Sequence, residues 1–249
     1  MDLGLAGNVA LVGGASRGLG RACAEALAAE GAKTVLVARG AGPLKEAAQA
    51  IARAHSADSH PFAADLAEPD ACEAAVAETV KKFGRLDVLV ANAGGPKPGH
   101  VDELSDDDWR RGFELTFLTT VRLCRAAVSA MKKGPVGRGG RIVIIGSGSM
   151  AAPIPNLAIS SGLRPGLRGV AKMLAEKYAP DGITVNVVAP GLIKTERLIE
   201  AAHGAPDATG PGASTRVFER WAAEIPARRL GEPEDVGHVV AFLCSSRAS

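Results

Sequence analysis

One stretch constrains this chain more than any other: Val9-Ala10-Leu11-Val12-Gly13-Gly14-Ala15-Ser16-Arg17-Gly18-Leu19-Gly20. A short apolar run breaks into glycines and gives way to Arg21–Glu30, an alanine-rich helix former that Gly31 stops. The pattern predicts strand, tight turn and helix. Glycines at 14, 18 and 20 let backbone approach a ligand closely and let the helix pack on the strand. Unpaired N–H groups at the helix start favour an anion. The segment therefore reads as a phosphate cradle for a dinucleotide, touched by Gly14, Ser16, Arg17, Gly18 and Leu19. A glycine-rich turn alone is a weak sign; its place between this strand and this helix gives it weight.

Composition narrows the class. A chain of 249 residues suffices for one α/β domain with a full core, and 47% hydrophobic content argues against disorder. The net charge of +2, with basic residues scattered, gives no nucleic-acid stripe. Cys23, Cys72, Cys124 and Cys244 show no C-x-x-C pairing and read as small apolar residues of a reducing compartment. Met1-Asp2-Leu3-Gly4 opens no signal peptide, and no apolar run approaches membrane-spanning length. The expectation is a cytoplasmic protein with no membrane partner and no metal site.

Lys33–Ala38 reads as a second buried strand. At its end, where NAD sites carry an Asp or Glu for the ribose 2′-hydroxyl, stand Ala38 and Arg39. Together with Arg17 they suit a 2′-phosphate, hence NADP(H) rather than NAD(H). Then follow a helix over Leu44–Arg53, a strand over Phe62–Leu66, a helix over Glu68–Phe83 and a strand over Leu86–Val90. A long helix over Trp109–Met131, a basic loop over 132–140, a strand over Arg141–Ile145 and a final helix over Glu234–Ser245 complete the alternation. Such a pattern predicts an α/β fold: a doubly wound, Rossmann-like parallel sheet in three α/β/α layers. Ligands sit at the carboxyl ends of its strands, where Asp65, Leu66 and Asn92 fall.

The chain resembles a short-chain dehydrogenase/reductase from about residue 5 to 245. The family's T-G-x-x-x-G-x-G appears with Gly13 in place of the threonine, and its N-N-A-G as Ala91-Asn92-Ala93-Gly94. Pro190-Gly191-Leu192-Ile193-Lys194-Thr195 is similar to the P-G-x-x-x-T segment that holds the nicotinamide amide, and Arg229–Val236 to another common segment. The resemblance implies one dinucleotide-binding domain over 1–249, a variable substrate lid over 195–226, a small-molecule substrate and a homodimer or homotetramer. It also implies cofactor contacts from Asn92, Ala93, Gly94, Pro190, Gly191, Ile193 and Thr195. Relatives continue into a seventh strand ending V-D-G-G, which is absent here.

The resemblance assigns the catalytic serine to Ser147 and the active-site asparagine position to Thr116. The family's spacing puts Ser160 and Arg164 at the Tyr and Lys of Y-x-x-x-K, while the single tyrosine, Tyr178, reads as a packing residue. A serine hydroxyl is far less acidic than a phenol of pKa about 10. Arg164 keeps the charge and suits the nicotinamide ribose hydroxyls, but it relays no proton. Pro165 is expected to start a helix or kink one, re-aiming Arg164. Lys97 and His100 are further candidate acids in the loop after Asn92. The function so implied is an NADP(H)-dependent oxidoreductase of a carbonyl or alcohol with a non-standard proton transfer. Ser147 would hold the substrate oxygen and Arg164 would stabilise its charge. The alternative is a non-catalytic NADP(H)-binding sensor or partner subunit.

Overall fold

The computed structural model describes residues 2–133, 139–203 and 213–248. Strands β1 (Val9–Gly13), β2 (Lys33–Ala38), β3 (Ser59–Ala63), β4 (Val88–Ala91), β5 (Gly140–Ile145) and β6 (Ile183–Val188) form one parallel sheet. Their order is β3-β2-β1-β4-β5-β6, so the direction of winding reverses between β1 and β4. A ligand crevice opens at that reversal, beyond the carboxyl ends of the strands.

Helices cover both faces, which is why the central strands are apolar throughout. Ala10 and Val12 join one core with Leu27 of α1 (Gly18–Ala29), Leu44 of α2 (Ala41–His55) and Val240 of α10 (Pro233–Cys244). Leu11 joins the other, with Val76 of α3 (Ala71–Phe83), Leu123 of α5 (Thr119–Lys132) and Leu167 of α7 (Pro165–Tyr178). Alternate residues of one strand thus anchor opposite layers. Truncating a fully buried leucine such as Leu11 would cost about 2–5 kcal/mol. Tyr178 packs at the margin of the second core with Lys132 and Lys177 over its ring, and all four cysteines are buried and free. Among the described residues no helix is long and apolar enough to cross a membrane.

Several boundaries differ from those the sequence suggests. β3 lies at Ser59–Ala63 rather than Phe62–Leu66, because pairing with β2 sets its register, Thr34 against Ser59 and Ala38 against Ala63. Pro61 is tolerated there since β3 is an edge strand. α3 starts at Ala71, after a turn in which Glu68 N–H donates to Asp65 O, rather than at Glu68. The expected single helix over Trp109–Met131 is three pieces: α4 (Asp106–Gly112), a π-helical segment (Phe113–Leu118) and α5. Ser105 starts α4 through a capping box with Asp108. Threonines perturb the next turns, since Thr116 Oγ1 donates to Gly112 O (2.7 Å) and Thr119 Oγ1 to Glu114 O (2.8 Å). The expected lid contributes α8 (Glu196–His203) and α9 (Ala213–Glu224). Its glycine- and proline-rich breaks at 204–206 and 209–212 lie outside the described residues, as does 134–138 of the basic loop.

Candidate functional site

The glycine turn is built as its composition requires. Gly14 (φ +58°) and Gly18 (φ +56°) occupy the left-handed region, where a Cβ is strained. At Gly20 a Cβ would lie 2.3 Å from Gly14 O, so α1 can start this close to β1 only with glycine. Arg17 caps α1 with extended backbone and no side-chain capping hydrogen bond, and the first turn carries no acidic residue. Backbone donors therefore remain for an anion, flanked by the half-buried Ser16 and Leu19. Asn92 Nδ2 donates to Gly13 O (3.0 Å) and ties the end of β4 to β1. A Cβ at Gly13 would meet Asn92 O at 2.4 Å, so this packing leaves no room for a threonine. Ala93 and Gly94 follow, with Gly94 exposed at the switch point. A cradle that a single Cβ would fill fits a dinucleotide pyrophosphate. The start of α8 overhangs it, placing Glu196 Oε2 and Thr195 Cγ2 each 3.6 Å from where a Cβ on Gly18 would be.

Arg17 and Arg39 both reach solvent beside this turn. Arg17 Nη1 lies 3.3 Å from Glu200 Oε1 of α8, and Arg39 Nη1 lies 3.9 Å from Asp65 Oδ2 just past β3. Exposed pairs of this kind are worth about 0.2–1 kcal/mol each, less than charge-assisted bonds to a phosphate. Both arginines are thus free to turn to a 2′-phosphate. Leu66 is buried, and its carbonyl accepts from Thr119 Oγ1 (3.0 Å), which docks this loop on α5.

Beyond β5 stands Ser147, half-buried and extended, whose Oγ accepts from Ser149 N (3.3 Å). Ser160 is buried in α6 (Ala158–Leu163), with its Oγ 3.0 Å from Ser149 Oγ rather than against Ser147. Arg164 joins α6 to α7 in helical conformation, its N–H donating to Ser160 O (3.1 Å). Pro165 occupies the first turn of α7, so it starts a second helix and the path from Ser160 to Arg164 stays helical. Arg164 Nη1 donates to Ile145 O (3.1 Å) and Gly146 O (3.3 Å), at the end of the strand that carries Ser147. Burial pulls this guanidinium down to about 10, and the charge of Arg197 adds to the effect. Thr116 is buried and its hydroxyl is taken by Gly112 O. After β6, Pro190 O accepts from Gly148 N (2.9 Å), which brings Gly191 alongside Ser147. Ile193 bridges to Gly231, and Thr195 Oγ1 accepts from Leu198 N (3.4 Å) at the start of α8.

A sequence model described as enoyl-(acyl carrier protein) reductase matches residues 14–249. The 3-oxoacyl-(acyl-carrier-protein) reductase FabG of Escherichia coli is 35% identical, over 98% of this chain and 92% of its own. The chain belongs to the short-chain dehydrogenase/reductase family. An L-sorbose reductase of Gluconobacter frateurii, solved with NADPH and L-sorbose, shares 34% identity and a TM-score of 0.94, covering 100% of this chain and 93% of its own. YwfH, an NADPH-dependent reductase of bacilysin biosynthesis, shares 27% identity and a TM-score of 0.90, covering 97% and 92%.

In this short-chain dehydrogenase/reductase, the side chains gathered at the sheet's carboxyl edge include two that sequence reasoning misses. Ser149 engages both Ser147 and Ser160. Arg197 of α8 donates from Nη2 to Pro96 O (3.1 Å), and its Nη1 lies 1.2 Å from where a Cβ on Gly95 would be. The one signal for Arg197 is Gly95 itself, a glycine after Asn92-Ala93-Gly94 that leaves room for it. The two further candidate acids lie in the loop after β4. Lys97 Nζ lies 3.0 Å from Asp108 Oδ2, and exposed His100 caps the turn at Val101–Glu103.

Proposed function

We propose that the chain is an NADP(H)-dependent oxidoreductase of a carbonyl or alcohol, with Ser147 and Arg164 at the reacting oxygen. The observation that carries this reading is their shared position at the end of β5. Ser147 Oγ accepts from Ser149 N, which leaves its proton free to donate to a substrate oxygen. Arg164 spends Nη1 on two strand-end carbonyls and keeps further donors on its rigid fork. With a pKa near 10 it stays charged at neutral pH, so it stabilises negative charge without passing a proton. The glycine turn, Asn92–Gly94 and Pro190–Thr195 would hold the dinucleotide, and Arg17 and Arg39 its 2′-phosphate; bound NADPH supplies the hydride. The sorbose reductase solved with NADPH and the NADPH-dependent YwfH support that choice of cofactor.

Proton delivery is the unusual part. With serine at the tyrosine position and its hydroxyl turned to Ser149, no described side chain of matched acidity is placed there, and water would supply the proton through Ser147. Lack of a general acid slows such a step by about 10²–10⁴-fold. A slow enzyme follows, not an inert one. A second reading, a non-catalytic NADP(H)-binding sensor or partner subunit, draws on the buried hydroxyls of Ser160 and Thr116, both turned into the protein. A carbonyl and alcohol panel with NADPH and NADP decides between them. We expect weak turnover that Ser147→Ala and Arg164→Met each reduce at least about tenfold. Turnover untouched by either substitution would remove their roles, and tight cofactor binding with no turnover would favour the sensor.

A further inference from the structure

Arg164 and Arg197 bring two positive charges to the carboxyl edge of neighbouring strands from different elements. Arg164 comes from the joint of α6 and α7 and rests on the end of β5; Arg197 comes from α8 and rests on Gly95 and Pro96 beyond β4. They are close enough for Arg197 to depress Arg164, and desolvation lowers Arg197 as well. Among the described residues, neither guanidinium is ion-paired with a carboxylate; Glu200, which acts on Arg197 at longer range, is bridged to Arg17. Backbone carbonyls alone hold both. A buried cation, Arg164, backed by an exposed one, Arg197, neither in direct contact with a carboxylate among the described residues, is an arrangement that an oxyanion completes. The cofactor's phosphates have other donors, in the backbone of the glycine turn and in Arg17 and Arg39.

We propose that Arg197, together with Arg164, binds an oxyanion carried by the carbonyl substrate, a carboxylate or a phosphate, and so determines the substrate class. The proposal rests on the oxidoreductase reading, but anion binding can be read without turnover. Arg197 supplies the specificity: its fork sits on the lid, and Gly95 and Pro96 fix its direction.

The test is calorimetric titration of the NADP-saturated protein with two matched pairs: acetoacetate against methyl acetoacetate, and dihydroxyacetone phosphate against dihydroxyacetone. The anionic member of at least one pair should bind about tenfold more tightly or better. Which pair shows the preference identifies the group. Arg197→Met should erase it while NADPH affinity stays within about twofold, and Arg197→Lys should restore part of it. Equal binding within both pairs, or a preference that survives Arg197→Met, would overturn the proposal. So would an Arg197→Met protein whose main defect is weaker NADPH binding, because the arginine would then serve the cofactor. An intact, Arg197-dependent anion preference without turnover on any substrate would support this site and count against the oxidoreductase reading alone.

Discussion

Arg17 Nη1 and Glu200 Oε1 stand 3.3 Å apart, joining the glycine turn to α8 across 183 residues of chain. On the proposed function, a 2′-phosphate would compete with the Glu200 carboxylate for the same guanidinium. Both side chains are well exposed, so the pair holds α8 with only about 0.2–1 kcal/mol. Glu200→Gln should tighten NADPH binding about 1.5- to 5-fold, with less effect on NADH. Fluorescence titration of both cofactors measures it. NADPH affinity unchanged by the substitution would show that the contact does not compete.

Arg39 sits 3.9 Å from Asp65, where a second carboxylate would turn the proposed 2′-phosphate site into a repulsive one. The wild type should prefer NADP(H) over NAD(H), and Arg39→Asp should cut that preference by about 10- to 100-fold. The ratio of dissociation constants is the readout. Equal affinities in the wild type would sink the assignment.

Restoring the family's acid should not be simple. Ser160 and Arg164 are one helical turn apart, so Ser160→Tyr with Arg164→Lys places phenol and ammonium on one face. Ser160, however, is 5% exposed and packed on buried Ser149, and a phenol there overpacks by about 1–3 kcal/mol. We expect the double variant to melt earlier and gain little reductase activity, and Ser149→Ala to recover part of both. A double variant as stable as wild type and already active would show that the site has room.

Asp108 offers a pH test away from the chemistry. Hydrogen bonds from Lys97 Nζ (3.0 Å), Arg111 Nη2 (2.9 Å) and Ser105 Oγ (2.9 Å) hold its carboxyl well below the usual carboxylate range. A folded pKa below the unfolded value of about 3.9 means that the folded state binds fewer protons. The stabilisation is then fully present above about pH 4 and lost as pH falls through the folded pKa. Asp108→Asn should lower the melting temperature at pH 7, and the gap to wild type should narrow as pH drops below about 4. A gap that stays constant from neutral to acid pH would mean that the charge of Asp108 does not matter.

What the amino-acid sequence determined by itself is local or periodic. Buried apolar runs alternating with amphipathic segments specify a parallel sheet with helices packed on it, because that class of arrangement buries them all. The cradle was legible for the same reason, since Gly14, Gly18 and Gly20 answer steric demands within a dozen residues of chain. Tertiary structure decided everything that depends on a distant partner. β3 slid to Ser59–Ala63 because β2 offers its hydrogen bonds there. The hydroxyl of Ser160 turned to Ser149 because α6 docks beneath the turn after β5. Arg197 reached Pro96, 101 residues away, because the fold brings the first turn of α8 beside the loop after β4. Propensity and period act over a few residues, whereas the direction of a long charged side chain is set by whichever backbone docking brings beside it.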